Sequence, residues 1–375
     1  MFRRPGDDRF FQRCGGIRGK EVIFMLTAVA MSGGADSSVA ALELKREGHD
    51  IIGITIKTWP EQGELRWWRE AVQCARRVAE ELGIPHHVVD LSREFGEAVR
   101  DYFADEYARG RTPNPCIFCN SKIKFGRLLS KARELGAEKI ATGHYARIVE
   151  VKGVCYLSEA EDKRYDQSYF LCDVSREALP FIGFPLGKSA GEMVRRIAAS
   201  RNFVPVQRKS SQDICFAAAD GGYRGYLSRL DRSAFLPGDM LDVSGKVIGR
   251  HNGIASYTIG QRRGLGIAAP GPVYVLKIDA ENNTITVGEK SHAMNEKIRV
   301  SGVNWLIPVK PDSPGEFAAR IRYNGEKAPA MVTPCGTDGA VVEFKEPQFA
   351  PTPGQAAVFY EGEIVAGGGW IEEVL

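Results

Sequence analysis

The sequence has 375 residues, of which 43% are hydrophobic and 26% charged, and its formal net charge is +3 at pH 7. This length exceeds what one hydrophobic core usually serves, so two or three domains are expected. The composition is that of an ordinary soluble protein, and the small net charge means that a nucleic-acid surface would be local. Eight cysteines without framework spacing argue against a secreted disulfide scaffold and predict a cytoplasmic protein. No apolar stretch is long enough to predict a membrane span.

Residues 1–24 form a basic leader, and an apolar stretch follows at 22–31. A signal peptide has a similar outline. However, acidic residues interrupt this leader, and a glycine-rich loop follows the apolar stretch directly. We therefore interpret the apolar stretch as a buried first strand. Residues 1–24 are interpreted as a flexible extension, or as sequence upstream of a true start at Met25.

From residue 22 to 145, short apolar runs alternate with amphipathic stretches. The pattern predicts strands at 22–30, 51–57, 86–90 and 139–142, and helices at 37–47, 67–82, 94–109 and 121–135. Such alternation indicates a Rossmann-like α/β domain, with a parallel sheet covered on both faces. Ligands of these sheets bind at the carboxyl ends of the strands. Functional loops are therefore expected after Ala30, Lys57 and Thr142.

The rest of the chain differs in pattern. Periodicity is weak over 146–235, apart from one clear helix at 191–201. Short β-rich segments separated by turn residues follow, at 272–278, 284–287, 340–344 and 356–359, and predict a β-barrel. The predicted domains are a sheet domain over 25–150, extending to about 205, a small central region over 151–235 and a C-terminal barrel over 236–375.

The string S-G-G-A-D-S at 32–37 joins the first predicted strand to the first predicted helix. Its small residues let backbone amides approach an anion, and the helix amino terminus adds partial positive charge. The string lacks a Walker lysine and is not a dinucleotide fingerprint. It resembles the pyrophosphate loop (PP-loop) of ATP pyrophosphatases, which adenylate a substrate oxygen and release pyrophosphate. The loop alone does not choose among the enzymes of that class.

Cysteines occur in two unusual segments, T-P-N-P-C-I-F-C-N at 112–120 and S-Q-D-I-C-F at 211–216. Cys119 directly precedes the helix predicted from Ser121. The helix dipole, with Lys122 and Lys124 nearby, is therefore expected to stabilise its thiolate. A C-x-x-C pair is also half of many zinc sites, but no second pair or paired histidine accompanies this one.

These motifs occur in order with several others, and together they resemble the bacterial tRNA-specific 2-thiouridylases, members of the ATP-pyrophosphatase superfamily. The further motifs are A-T-G-H-Y at 141–145, D-Q-S-Y-F-L at 166–171, G-Q-R-R-G-L-G at 260–266, P-G-Q at 353–355 and G-G-G-W at 367–370. The resemblance runs from about residue 25 to the carboxyl terminus.

The resemblance implies an activity. ATP would adenylate the C2 carbonyl oxygen of the wobble uridine in tRNA. A persulfide on Cys215 would then supply sulfur to C2. Cys119, the catalytic nucleophile, would either resolve the persulfide, through a transient Cys119–Cys215 disulfide, or release sulfide from it. The products would be 2-thiouridine, AMP and pyrophosphate. The implied partners are tRNA and a cysteine desulfurase or a sulfur-relay protein, with no membrane partner, and Mg²⁺ is expected with ATP.

The resemblance also implies binding residues. Those implied for ATP are Ala30, Met31, Ser32, Gly33, Gly34, Ala35, Asp36, Ser37, Ile56 and Gly143. Those implied for tRNA are Asn114, Pro115, Cys116, His144, Tyr165, Asp166, Gln167, Arg322, Tyr323 and Gln355.

Cys116 departs from the pattern of some family members, which have an aspartate there in a general acid or base role. A thiol is a poor substitute for that carboxylate. Instead, Cys116, Cys119 and Cys215 could supply three thiolates to a 4Fe–4S cluster with one open iron. We favour the persulfide route, because it also describes members that lack the second cysteine of the pair.

Two other functions stay open at this point. A different adenylating synthetase, such as an amidating one, would need an ammonia source or a glutaminase domain, and the sequence indicates neither. An RNA-binding module with a barrel and a structural metal would consume no ATP.

Overall fold

The computed structural model describes residues 25–59, 66–203, 214–217, 221–230, 233–269, 271–308 and 310–375. The leader at 1–24 and part of the second cysteine motif, 211–213, lie outside the described residues. In the described part of the chain, no helix is long and apolar enough to cross a membrane.

The strands in chain order are β1 Thr27–Ala30, β2 Ile51–Lys57, β3 His86–Asp90, β4 Lys139–Ala141, β5 Ala146–Val151, β6 Val154–Glu159, β7 Ile182–Gly183, β8 Gly238–Leu241, β9 Val247–His251, β10 Tyr274–Asp279, β11 Thr284–Gly288, β12 Met294–Trp305, β13 Gly315–Arg320, β14 Ala328–Cys335, β15 Gly339–Phe349, β16 Ala356–Glu361 and β17 Ile364–Val374.

The α-helices are α1 Ala35–Arg46, α2 Arg66–Leu82, α3 Ser92–Phe95, α4 Tyr102–Ala108, α5 Pro115–Phe118, α6 Leu129–Glu134, α7 Gly191–Ser200 and α8 Tyr223–Leu230. A π-helical segment, Gly96–Asp101, joins α3 to α4, and a second, Cys119–Leu128, joins α5 to α6.

The N-terminal part is a parallel sheet in the order β3-β2-β1-β4-β7. Residues 51–55 of β2 are all buried, as expected of a strand covered on both faces. Helices α1, α2 and α7 contribute to one apolar cluster, and the helices between residues 92 and 134 contribute to another. The predicted α/β class is confirmed, and β2 and β3 have the predicted bounds.

The C-terminal part contains two separate sheets. Strands β8–β11 form a four-stranded sheet in the order β10-β11-β8-β9. Strands β12-β15-β14-β13-β16-β17 form an antiparallel barrel, which closes where β12 pairs with β17. The predicted barrel is confirmed. How the chain divides into domains stays a prediction.

The β5–β6 hairpin connects the N-terminal part to the barrel. It follows directly after the A-T-G-H-Y motif, and β6 pairs with β17 through Ser158 and Ile364. Nearby, the buried carboxylate of Asp166 lies 3.6 Å from the Arg320 guanidinium of β13. The hairpin therefore links the end of the parallel sheet to the barrel wall.

The helix predicted at 121–135 begins six residues earlier than expected, at Pro115. Asn114 caps it, because its Oδ1 accepts a hydrogen bond from the Cys116 backbone N–H at 3.2 Å. Proline is tolerated at the first helical position, where its missing N–H costs no helical hydrogen bond. Both cysteines of the C-x-x-C pair therefore lie within one helical run.

Candidate active site

The S-G-G-A-D-S string forms the turn between β1 and α1. The Ser37 hydroxyl accepts a hydrogen bond from the Ser32 backbone N–H at 3.2 Å and donates to the Gly34 carbonyl at 3.1 Å. Gly33 has φ of +70°, and a Cβ there would lie 2.2 Å from the Ala71 carbonyl oxygen of α2. Only glycine fits this position, since the backbones of the loop and α2 approach so closely. Ser32 is exposed at the rim of the loop.

The A-T-G-H-Y motif packs directly on this loop. A Cβ on Gly143 would lie 2.6 Å from both the Asp36 carbonyl carbon and the Ser37 nitrogen. The Tyr145 hydroxyl donates to Asp36 Oδ1 at 2.9 Å. Burial raises the pKa of Asp36, while this hydrogen bond and the charge of Arg195 act in the opposite direction. The loop and the motif therefore form one surface at the carboxyl ends of β1 and β4.

The other ATP residues implied by the resemblance also lie near this edge. Ala30 ends β1, and the buried Met31 donates its backbone N–H to the Ile54 carbonyl at 2.8 Å. Ile56 is half-buried near the end of β2, and its carbonyl accepts from the Trp68 indole at 3.3 Å. The roles of these residues in ATP binding stay predictions.

His144 connects this surface to the helical run from Pro115 to Glu134, here called the cysteine helix. Its Nδ1 lies 2.7 Å from Thr142 Oγ1, and its Nε2 lies 3.4 Å from Lys124 Nζ. An ammonium group only donates, so Nε2 accepts and Nδ1 carries the proton. Burial, and next the charge of Lys124, hold the pKa of His144 well below its usual value. His144 is therefore neutral at physiological pH.

The structure brings the three candidate cysteines together beside Lys124. A negative charge on Cys119 raises the pKa of Cys116 and of Cys215, and the positive charge of Lys124 acts against the rise at all three. Cys116 and Cys215 are exposed and Cys119 is half-buried. All three are free thiols, so the structure contains no Cys119–Cys215 disulfide.

Cys215 is held near Cys119 by the residue that follows it. Phe216 is buried, and its ring lies 5.8 Å from that of Phe95, 5.3 Å from that of Phe103 and 5.1 Å from that of Tyr226. Edge-to-face pairs at these separations are favourable. Phe216 thus anchors Cys215 on the helices that precede the C-x-x-C pair.

The expectation that Cys119 is a stabilised thiolate is wrong. Desolvation raises the pKa of Cys119, raises that of Cys116 to about 11 and raises that of Cys215 to about 12. Cys116 and Cys215 reach solvent, but the protein atoms around them still displace enough water to disfavour the thiolate.

Two structural differences account for the error. The helix begins at Pro115, so Cys119 lies one turn inside it and not at its positive end. Lys122 is turned toward Asp173, with 3.7 Å between its Nζ and Oδ2.

The barrel supports the cysteine helix. The Phe118 ring stacks on the Trp370 indole, with 4.7 Å between the ring centres and 13° between the ring planes. The centre of the Tyr102 ring lies 4.2 Å from that of Phe118. The Thr112 backbone N–H donates to the Pro353 carbonyl at 3.0 Å, and the Thr112 carbonyl accepts from Gln355 Nε2 at 2.8 Å. The P-G-Q and G-G-G-W motifs therefore hold the segment that leads into Cys119.

We expect Trp370→Ala to lower the free energy of unfolding by up to about 3 kcal/mol, because the half-buried indole leaves a cavity against Phe118. Trp370→Phe keeps an aromatic partner and should cost about 1 kcal/mol or less. Urea denaturation measures both values. Equal losses for the two variants would show that stacking on Phe118 is unimportant.

The implied tRNA residues fall into several environments. Asn114 caps the cysteine helix, and Pro115 is buried at its start. The half-buried Tyr165 ring has the Arg164 and Arg195 guanidiniums 5.8 and 5.3 Å from its centre.

Other members of that set have internal partners. Asp166 is only 3% exposed, and its carboxylate accepts from Ala160 N–H and from Ser168. The Gln167 side chain accepts from the Tyr145 N–H at 3.1 Å. These contacts give both side chains structural roles within the loop.

The barrel residues of that set also make contacts within the protein. Arg322 donates to the Phe349 carbonyl at 2.9 Å and to the Ala350 carbonyl. The Tyr323 ring packs on the Phe170 ring at 4.4 Å. The contacts of all these residues with tRNA stay predictions.

Lys124, Asn120 and Trp370 were not among the site residues inferred from the sequence. Asn120 and Lys124 are four residues apart, a spacing that places side chains together on a helix. The sequence alone did not show this pairing, because the helix was predicted to begin at Ser121, after Asn120.

Comparison with known proteins agrees with this arrangement. Family models match three consecutive parts of the chain: a tRNA methyl transferase HUP domain at 25–219, a tRNA methyl transferase PRC-barrel domain at 226–289 and an aminomethyltransferase β-barrel domain at 295–371. The structure of a U34-tRNA thiolase from Methanococcus maripaludis with its 4Fe–4S cluster covers 55% of this chain and 64% of its own, at 19% identity. Its TM-score of 0.33 is too low for a residue-by-residue comparison.

Curated relatives are much more similar. The tRNA-specific 2-thiouridylase of Syntrophotalea carbinolica is 46% identical over 345 residues, which cover 92% of this chain and 97% of the relative. That of Geobacter metallireducens is 43% identical over 357 residues, with 92% and 96% covered. The chain therefore belongs to the family of tRNA-specific 2-thiouridylases.

Proposed function

We propose that this protein spends ATP to replace the C2 oxygen of the wobble uridine of tRNA by sulfur, in the cytoplasm. One observation carries the proposal: the S-G-G-A-D-S string at 32–37, here called the anion loop, forms one connected site with His144, Lys124 and the three cysteines. Gly143 lies against the loop, His144 is the next residue, and Lys124 joins His144 to the thiols. The groups suited to adenylation and the groups suited to sulfur transfer therefore lie next to each other.

In the first half-reaction, the uridine O2 attacks the α-phosphorus of ATP, and pyrophosphate leaves with the electron pair of the broken P–O bond. The amides of the loop and the amino terminus of α1 suit the phosphates. Asp36 at the start of α1 is a suitable oxygen ligand for the Mg²⁺ that we expect with ATP. The product is a uridine whose C2 carries AMP as a leaving group.

In the second half-reaction, the terminal sulfur of a Cys215 persulfide attacks C2. The C2–O bond breaks, and AMP leaves with the former O2. The Cys119 thiol then attacks the Cys215 sulfur and gives its proton to the departing thiolated base, and the Cys119–Cys215 disulfide forms. An external thiol reduces this disulfide. The raised pKa values support a resting site of neutral thiols, because desolvation, and next the charge of a neighbouring thiolate, disfavours ionisation of Cys116 and Cys215.

We infer that the sulfur comes from a cysteine desulfurase or a sulfur-relay protein. The exposure of Cys215 supports this inference, since a donor persulfide must reach the thiol. The implied tRNA contacts place the target base near Asn114, Pro115, Cys116 and His144. Tyr165, Asp166, Gln167, Arg322, Tyr323 and Gln355 would surround the rest of the anticodon arm.

The residues do not fit an iron–sulfur cluster as they stand. Within the described ranges, no three His, Cys, Asp or Glu side chains are arranged to hold a metal ion. We therefore derive no step through a cluster. Anaerobic purification with iron and sulfide analysis tests this: iron-free protein with full activity is expected, and activity that requires bound iron would contradict it.

The assay combines the protein, ATP, unmodified tRNA, cysteine and a cysteine desulfurase, followed by nuclease digestion and detection of 2-thiouridine. We expect 2-thiouridine, with AMP and pyrophosphate formed in equal amounts. AMP formation without a thiolated base would favour another adenylating synthetase. RNA binding without ATP consumption would favour a binding module.

A further inference from the structure

Lys124 is the side chain that joins the two halves of the site, and its position is fixed. Its Nζ donates to Asn120 Oδ1 at 3.0 Å. Asn120 is itself buried, and its Nδ2 donates to the Phe170 carbonyl at 2.9 Å. The ammonium is therefore held by a buried amide, unlike a surface lysine that samples many rotamers.

The second contact of Lys124 points toward the anion loop. His144 Nε2 lies 3.4 Å from Nζ, and the neighbouring Gly143 touches the backbone of Asp36 and Ser37. On its other side, the positive charge of Lys124 acts on Cys116, Cys119 and Cys215. The ammonium thus lies between the residues beside the anion loop and the three cysteines.

Two of the three N–H bonds of Lys124 have acceptors, Asn120 and His144. In the part of the chain that the structure describes, no carboxylate pairs with Lys124. Among the described residues its charge is therefore not neutralised by an acidic side chain, and one N–H remains for a substrate. A half-buried, uncompensated ammonium favours an anion, and the phosphate of an adenylated base is the anion that this reaction creates.

We propose that Lys124 is a further catalytic residue, whose third N–H donates to the AMP group attached to C2 of the uridine. This inference rests on the proposed function. As the S–C2 bond forms and the C2–O bond breaks, the electron pair moves onto the oxygen that leaves with AMP. Lys124 stabilises the negative charge that develops there, and no proton or redox change is required of it.

A purely structural role for Lys124 makes different predictions. If it only braced Asn120 and the cysteine helix, its loss would lower stability and ATP binding together with the rate. If it stabilises the leaving group, its loss slows sulfur transfer and leaves folding, ATP affinity and pyrophosphate release intact. Measuring pyrophosphate release and 2-thiouridine formation separately therefore distinguishes the two roles.

The test compares Lys124→Met with Lys124→Arg and Lys122→Met. Methionine keeps the length of the side chain without its charge, and arginine restores the charge. Lys122 provides a matched control, because it lies on the same helix but faces Asp173. Each protein is loaded with persulfide, mixed with ATP and tRNA, and followed in a single turnover for pyrophosphate and for 2-thiouridine.

We expect Lys124→Met to slow 2-thiouridine formation about 100-fold at saturating tRNA, with pyrophosphate release and tRNA KM unchanged. Lys124→Arg should recover part of the rate, and Lys122→Met should match the wild type. A Lys124→Met rate within about twofold of wild type overturns the proposal, as does a parallel loss of thermal stability or ATP affinity. Failure of the wild type to make 2-thiouridine refutes the proposed function itself.

Discussion

Replacing Cys119 or Cys215 by serine is expected to reduce 2-thiouridine formation below about a thousandth of the wild-type rate, with ATP binding preserved. A serine hydroxyl cannot carry a persulfide, and at position 119 it cannot attack one at neutral pH. Neither thiol contacts the anion loop in the described structure, so the nucleotide site should survive. Nucleoside analysis by mass spectrometry measures the product, and calorimetry measures ATP affinity.

Cys335→Ser provides the control, because Cys335 is a half-buried free thiol at the end of the barrel strand β14. It should thiolate tRNA at the wild-type rate. Thiolation that persists in both the Cys119 and Cys215 variants would refute the assigned chemistry. Cys116→Ser separates the two mechanisms: near-normal activity agrees with the persulfide route, whereas loss of activity together with bound iron would favour a cluster.

Gly143→Ala is expected to weaken ATP binding by about 10- to 100-fold, which corresponds to the roughly 1–3 kcal/mol usually found for overpacked sites. The added Cβ would lie 2.6 Å from the Asp36 and Ser37 backbones, and backbone atoms cannot swing aside as a side-chain tip can. The anion loop must therefore shift, and with it the amides that face the phosphates. Equilibrium binding of a non-hydrolysable ATP analogue measures the effect.

Gly183→Ala is the matched control on the neighbouring strand β7. The nearest atom to its Cβ would be the Ala141 Cβ at 3.6 Å, an ordinary van der Waals contact. The Gly183 carbonyl still accepts the Thr142 N–H, so the strand pairing next to the motif is kept. Unchanged ATP affinity in Gly143→Ala would mean that the loop does not hold the nucleotide as proposed.

Local sequence patterns predicted the parallel sheet well, since strands such as β2 are continuous apolar runs bounded by clear turns. They predicted the cysteine helix poorly. Asn114 and Pro115 look like loop residues in the sequence, but they form the cap and the first position of the helix. That shift moved Cys119 away from the positive end of the helix, and desolvation then raises its pKa.

The meeting of Cys119 and Cys215 could not be read from residue spacing. It depends on Phe216 packing against Phe95 and Phe103, which lie far earlier in the chain, and against Tyr226 of α8. Family resemblance implied that the two thiols meet, but only side-chain packing gives the reason. The bridging role of Lys124 was missed for the same reason, because His144 reaches it from the loop between β4 and β5.

The support of the cysteine segment by the last residues of the chain has a consequence for biosynthesis. Arg111 pairs with Glu372 at 2.7 Å across a separation of 261 residues, and Trp370 covers Phe118, so these partners are synthesised long after the cysteine helix. A nascent polypeptide on the ribosome therefore has the anion loop and the C-x-x-C pair well before this support exists. Translation that stops before Trp370 would yield chains that keep their thiols but lack the support that orients them.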